Sequence, residues 1–263
     1  MNDDSPIRLT VEAGIARIVL DRPDEGNPIG DEAIAALDRV TLECADRQDV
    51  RAVLISARGP RFSVGGNVRE FVADRQDLST YIRRVNLILN GCLARLHRME
   101  APSVVAVQGV AAGGAVSILS GCDIVVAAES ARFVAAYASI GYCPDIGGTI
   151  NLARRIGLAR ARRFHLLHEQ LDAATAERIG LVDQVVPQAQ VLAAAEAIAQ
   201  RWAQGPTRAY GAIRRLMHGV HCTPMETQLE LETQELAQLT RTDDAWEALN
   251  AFLAKRKPAY RGR

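Results

Sequence analysis

The sequence predicts an α/β fold in which strands and helices alternate over roughly the first 200 residues and helices alone follow. Three observations carry that prediction. Short β-branched runs recur at 7–20, 50–56, 103–107 and 122–127. Between them lie stretches with apolar residues at helical spacing, an alternation that favours parallel strand pairing. From Leu158 onward the pattern is helical, with breaks near Asp172, Pro187, Pro206 and Pro224 and one strand-like exception at 181–186. The expected division is a core over 1–200 and a helical part over 201–263.

In order, residues 7–20 hold two strand-like runs broken by Glu12-Ala13-Gly14, a β-hairpin with the glycine in its turn, and Asp21-Arg22-Pro23 ends the second run. Residues 31–45 place Ile34, Leu37, Thr41 and Cys44 at helical spacing, an amphipathic helix capped near Asp31. Residues 50–56 read as a buried strand, and the loop 57–67 carries Gly65-Gly66 just before a helical stretch from Val68. Residues 81–99 form a long helix with Ile82, Val85, Leu89, Leu93 and Leu96 on one face; Pro102 stops it and a buried strand follows. The run 106–117 then passes from strand through Gly113-Gly114 into an apolar helix. Glycines there leave the first-turn N–H groups open to an oxygen that carries or develops negative charge, or merely allow tight strand–helix packing. A strand at 122–127 and a glycine-rich turn at 141–149 lead to a helix through about Ile156.

Composition excludes several classes. Lys+Arg 31 balances Asp+Glu 31, which argues against the usual basic nucleic-acid surface. The cysteines at 44, 92, 122, 143 and 222 form no CxxC pair and no cluster at metal-ligand spacing, so no metal site is expected and the thiols read as free in a reducing cytoplasm. The acidic N-terminus lacks an apolar leader, and no apolar run approaches the roughly 20 residues of a membrane span. A soluble, cytoplasmic protein is expected. There is no G-x-x-x-x-G-K-[ST], no early G-x-G-x-x-G and no G-x-S-x-G, and the histidines at 97, 165, 168, 218 and 221 adjoin no glycine junction in the sequence.

What remains are the two strand-loop-helix junctions, 62–67 and 108–117, whose N–H groups can converge on one oxygen, and Asp145, the one carboxylate in an apolar glycine turn. Asp145 reads either as an N-cap of the following helix or as a base whose pKa an apolar site raises. Cys143, before Pro144, reads as structural.

These segments resemble the crotonase (enoyl-CoA hydratase/isomerase) superfamily over nearly the whole chain. The likeness rests on Leu20-Asp21-Arg22-Pro23, Phe62-Ser63-Val64-Gly65-Gly66-Asn67, Gln108-Gly109 with Ala112-Gly113-Gly114, Gly121-Cys122-Asp123, Pro144-Asp145-Ile146-Gly147-Gly148-Thr149 and the tail 252–260 with Lys255-Arg256-Lys257-Pro258, in the family's order. The resemblance implies a spiral of ββα units that binds acyl-CoA, a helical C-terminal part that makes trimers or hexamers, and no cofactor beyond the coenzyme A of the substrate. It implies an oxyanion hole at the N–H groups of Val64 and Gly114. It also implies substrate contacts along Arg22, Gly65, Gly66, Asn67, Val68 and Gly113, with basic help from Lys255 or Lys257, from a neighbouring subunit if not from the same one.

The departures from the family pattern decide the expected chemistry. Where its hydratases hold two glutamates this chain has Ser117 and Tyr137, placed to contact substrate but not ionised near pH 7. Asp145 falls where several isomerases of the family, those of the 1,2-epoxyphenylacetyl-CoA type among them, carry their catalytic acid in P-D-x-G-G-T. The resemblance therefore implies an enoyl-CoA isomerase acting through Asp145. Hydratase-type chemistry, an aryl-CoA dehalogenase that uses Asp145 as nucleophile, and a non-catalytic acyl-CoA binder are the alternatives.

Overall fold

A computed structural model describes residues 5–73 and 77–263. A hairpin joins β1 (Ile7–Glu12) to β2 (Ile15–Leu20) through Ala13 and Gly14, both at positive φ. α1 (Asp31–Asp46) leads to β3 (Ala52–Ala57), and α2 (Val68–Ala73) and α3 (Leu78–Arg98) separate that strand from β4 (Ser103–Val107). Four short elements follow closely: β5 (Val110–Ala112), α4 (Gly114–Ser120), β6 (Ile124–Ala128) and β7 (Arg132–Val134). Then come α5 (Ile150–Ile156), α6 (Leu158–Leu166), β8 (Gln170–Asp172), α7 (Ala173–Ile179) and β9 (Gln184–Val186). The chain closes with α8 (Val191–Ala203), α9 (Thr207–Gly219), α10 (Met225–Leu239) and α11 (Asp243–Leu253).

The main sheet has the order β1-β2-β3-β4-β6-β9 and is parallel from β2 onward, as the strand–helix alternation predicts. Its central strands β3, β4 and β6 are buried on both faces, and their period of two sorts them cleanly. Val53, Ile55, Val105, Val107, Val125 and Ala127 face one core with α1 and α4. Leu54, Val104, Ala106 and Val126 face a second core under α8, whose Ala195, Ala199 and Ala203 lie flat on the sheet. The expected division at residue 200 thus falls inside a packed helix, and the helical extension starts at Thr207.

Other differences have local causes. β7 and β8 are three residues each, too short to show a period; β7 pairs with β5 and β8 with β7 in a second sheet. The run 106–112 is not one strand. A side chain on Gly109 would collide with the Pro60 carbonyl, and at that close crossing the chain leaves the main sheet. The N-cap of α1 is Gly30 rather than Asp31; the Asp31 N–H is satisfied from outside by the Glu70 carboxylate of α2, at 3.0 Å. Among the described residues, no helix is long and apolar enough to cross a membrane.

Arg214 of α9 fastens the C-terminal helices to the core. Only 7% exposed, it donates to Asp123 Oδ1 at 3.0 Å and to the carbonyls of Leu96 (2.9 Å), Met99 and Ala101 (3.1 Å), closing the C-terminus of α3. Asp123 in turn accepts from the Ser103 N–H at 2.7 Å and the Ser103 hydroxyl at 2.9 Å, which ties β4 to β6. Removing a buried charge from such a network strands its partner, so Arg214→Ala is expected to lower stability by about 3–5 kcal/mol in urea unfolding.

Candidate active site

The loop 58–66 leaves the C-terminal end of β3 and is held on both sides by amides. Asn27, 2% exposed and at φ 56°, donates through Nδ2 to the carbonyls of Arg58 (3.0 Å), Arg61 (3.1 Å) and Phe62 (3.1 Å), and its Oδ1 accepts from the Arg22 N–H (2.8 Å). Gln108 Nε2 donates to the carbonyls of Ala57 (2.9 Å), Gly59 (3.0 Å) and Arg61 (3.1 Å). The loop then pairs with β5: Ser63 N–H donates to Val110 O (3.1 Å) and Ala112 N–H to Ser63 O (3.0 Å). This pairing presses the two glycine junctions together. A Cβ on Gly65, whose φ is +85°, would lie 2.5 Å from the Ala112 oxygen and 3.4 Å from the Gly114 nitrogen.

The expected donor at Val64 is corrected by this geometry. Its N–H donates to Gly26 O at 3.0 Å, and the Gly65 N–H donates to Ser63 Oγ at 3.1 Å. Among the described residues, the Gly66 N–H and the Gly114 N–H meet no acceptor. Gly114 opens α4, so its N–H also carries the partial positive charge of a helix start.

Opposite Gly114 lies a hydroxyl and carboxylate cluster. Tyr137 donates its phenol O–H to Asp145 Oδ1, and the phenol oxygen is 3.0 Å from Ser117 Oγ. Burial, and next the charge of Asp145, push the Tyr137 pKa well above its ordinary value, so the phenol stays a donor. The Tyr137 oxygen would stand 3.7 Å from a Cβ on Gly114. Ser117 is 1% exposed. The capping alternative for Asp145 fails. The N-cap residue of α5 is Thr149, no side chain caps that helix, and the Asp145 carboxylate is bonded to Tyr137.

These groups line a cavity of about 800 Å³ that brings together Val64, Gly66, Val68, Gly113, Gly114, Tyr137 and Asp145. Gly65, Asn67 and Ser117 stand behind that lining; Asn67 donates its side-chain amide to Glu70 Oε1 at 2.9 Å. Arg22 is at the foot of the loop, outside the lining, with its guanidinium 3.9 Å from Glu32. Lys255 and Lys257 do not reach the cavity of their own chain. The tail is pinned where Arg51 donates to Tyr260 O at 3.3 Å and Asp244 accepts from the Arg261 and Gly262 N–H groups at 2.6 and 2.8 Å. Arg51 precedes β3, and the loop 58–66 leaves the other end of that strand, about 20 Å away at the usual rise per residue.

Of the histidines, His165 is near the cluster, its ring 6.4 Å from that of Tyr137 and its Nε2 3.4 Å from Gly148 O. His97 stacks on His218 with ring centres 4.7 Å apart. Cys44 and Cys122 are free and buried, which pushes them up to about 11 and about 12. Cys143 is exposed on the cavity rim. Asn27 escaped the sequence reading; its one signal is an asparagine after Gly26 and before Pro28, a place that suits a left-handed turn.

The sequence profile of the enoyl-CoA hydratase/isomerase family matches residues 10–263. The chain belongs to that family. It is 34% identical over 257 residues to 1,2-epoxyphenylacetyl-CoA isomerase of Escherichia coli (strain K12), covering 96% of this chain and 97% of that one. It is 30% identical over 268 residues to trans-2-decenoyl-[acyl-carrier-protein] isomerase of Streptococcus mutans serotype c, covering 99% and 100%. A crystal structure of an enoyl-CoA hydratase from Polaromonas sp. JS666 superposes with a TM-score of 0.91 at 29% identity, over 97% of this chain and 99% of that one. The enoyl-CoA hydratase/isomerase fold is therefore established for the chain, and its members named here include isomerases and a hydratase.

The two glycine junctions of this family member tolerate substitution differently. Gly65→Ala puts a methyl against the Ala112 carbonyl at a strained φ and is expected to destabilise by roughly 1–3 kcal/mol. A methyl on Gly114 meets only ordinary contacts, 3.5 Å from Ile146 Cδ1 and 3.7 Å from Ile29 Cδ1, so Gly114→Ala should melt close to the parent in a thermal scan.

Proposed function

We propose that the protein is an isomerase of enoyl-CoA thioesters that shifts a double bond by moving one proton through Asp145. The observation that carries this reading is Asp145, the one carboxylate that lines the cavity among the described residues, braced by Tyr137 and facing two backbone N–H groups that are unpaired among those residues. In a 3-enoyl thioester the Asp145 carboxylate takes a proton from C2. The electron pair passes into a dienolate whose negative charge gathers on the thioester oxygen. That oxygen accepts from the N–H groups of Gly66 and Gly114, each worth about 3 kcal/mol to the charged state. The carboxyl then returns the same proton to C4, leaving a 2-enoyl thioester. One carboxylate suffices because nothing is added or lost.

Hydration would need a second group to activate water. Ser117 and Tyr137 stand at the two positions in question, and the Tyr137 phenol is held protonated by burial. Both named isomerase relatives are consistent with double-bond or ring isomerisation on a thioester. An ultraviolet and mass-spectrometric screen of 2-enoyl-, 3-enoyl- and aryl-CoA thioesters separates isomerase, hydratase, dehalogenase and binder.

Asp145→Asn removes the proton carrier and is expected to lower kcat by on the order of 10²–10⁴-fold with thioester binding little changed. Tyr137→Phe, which frees the carboxylate to turn, should lower kcat by less, and Ser117→Ala by least. Near-normal turnover by folded Asp145→Asn would sink the proposal.

We further propose a homotrimer or hexamer. The C-terminal helices leave Leu229 (54%), Leu236 (66%), Trp246 (62%) and Phe252 (82%) exposed in the single chain, a broad apolar surface that further copies would cover. Lys255 and Lys257 would then reach coenzyme A only from a neighbouring copy. Light scattering at micromolar concentration should give a mass of three or six chains; a monomer overturns this.

A further inference from the structure

The apolar stripe of α3 runs under two chambers rather than one. Leu78, Ile82, Val85 and Leu89 line the open cavity, and Leu89, Cys92, Leu93 and Leu96 line a second, enclosed void of about 40 Å³. At the helical rise the first stretch is about 17 Å long and the second about 10 Å. The second void has two hydroxyls in its lining, and both are engaged: Thr41 donates to Leu37 O at 2.8 Å and Ser63 to Asn27 O at 2.7 Å. With no free polar partner it stays dry. What separates the chambers is a wall of Ile29, Leu89 and Ile146, the residues common to both linings.

Ile146 is the unusual member of that wall. It follows Asp145 directly and has φ 50°, a left-handed conformation that a β-branched side chain rarely adopts. Glycine would suit that backbone better, as it does at the next residue, Gly147, with φ +72°. Strain of this kind persists where the surroundings over-determine it. Here the side chain is what the surroundings hold: it is 5% exposed and packed with Ile29, Ile34, Val85 and Leu89. The isoleucine therefore serves the wall, at the expense of the turn.

We propose that Ile146 is a specificity-determining residue, which closes the acyl cavity off from the dry chamber under α3 and so limits the size of the acyl group that fits between this wall and the rim. This rests on the acyl-thioester reading above, though not on the role of Asp145. The class of substrate is a thioester whose acyl group is apolar where it meets the wall, because Ile29, Leu89 and Ile146 offer no donor or charge there, although Ser79, Arg83 and Asn86 of α3 also line the cavity.

The test is calorimetric binding of saturated, unreactive thioesters to the full-length protein, using butanoyl-, dodecanoyl- and phenylacetyl-CoA. Ile146→Ala opens the wall, and Leu89→Ala opens it independently should the first variant not fold. Either folded variant is expected to raise the affinity for dodecanoyl- or phenylacetyl-CoA, relative to butanoyl-CoA, at least fourfold over the parent, the gain from roughly one newly buried methylene. Unchanged ratios for both large probes, in variants that melt as folded proteins, overturn the wall while leaving the thioester site standing. Failure of the parent to bind any of the three overturns the thioester reading, and the wall with it.

Discussion

Two side-chain amides, Asn27 and Gln108, hold the loop on which everything at the site depends. Between them their donors satisfy the carbonyls of Ala57, Arg58, Gly59, Arg61 and Phe62. The buried Phe62 carbonyl requires such a partner, and the others are held in place by theirs. A neighbouring strand would have satisfied them too, but it would also have taken up the N–H groups. Side-chain donors quench carbonyls alone, so the chain can be fixed beyond Ser63 and still present a free N–H at Gly66. The left-handed backbone of Asn27 and the close crossing at Gly109 are what this arrangement requires of the main chain.

Against that rigid donor pair stands a cluster of polar side chains. Asp145 is bonded to Tyr137, and Tyr137 in turn approaches Ser117, so three residues distant in sequence share one network. A phenol that burial keeps protonated gives the carboxylate a fixed neighbour without competing for the proton. In the proposed reaction the electrostatic work would fall to backbone dipoles that need no reorganisation as charge develops.

Much of the fold was legible because periodicity reports burial directly. The hairpin, the strands β2, β3, β4 and β6 and the long helix α3 all follow from runs of alternating or helically spaced apolar residues. β7 and β8 were not, since three residues carry no period. At the site, the glycine junctions and Asp145 stood out by composition. Which N–H remained free did not, because it depends on Gly26, far away in sequence, taking the Val64 N–H. Spacing alone favoured a cap at Asp145 over a reactive group; the N-cap of α5 at Thr149 and the Tyr137 hydroxyl on the Asp145 carboxylate are what tell against the cap. Where the lysines of the tail lie in their own chain was not legible for the same reason, since Arg51 and Asp244 decide where that segment lies.

Because both free donors are main-chain groups, mutation of a side chain elsewhere cannot delete them. Under the proposed reading, the part of the site that recognises a thioester is written in the path of the backbone, and the part that selects a reaction in the side chains at 117, 137 and 145. Such a division would let a lineage exchange one chemistry for another by a few codon changes while inheriting its grip on the carbonyl intact.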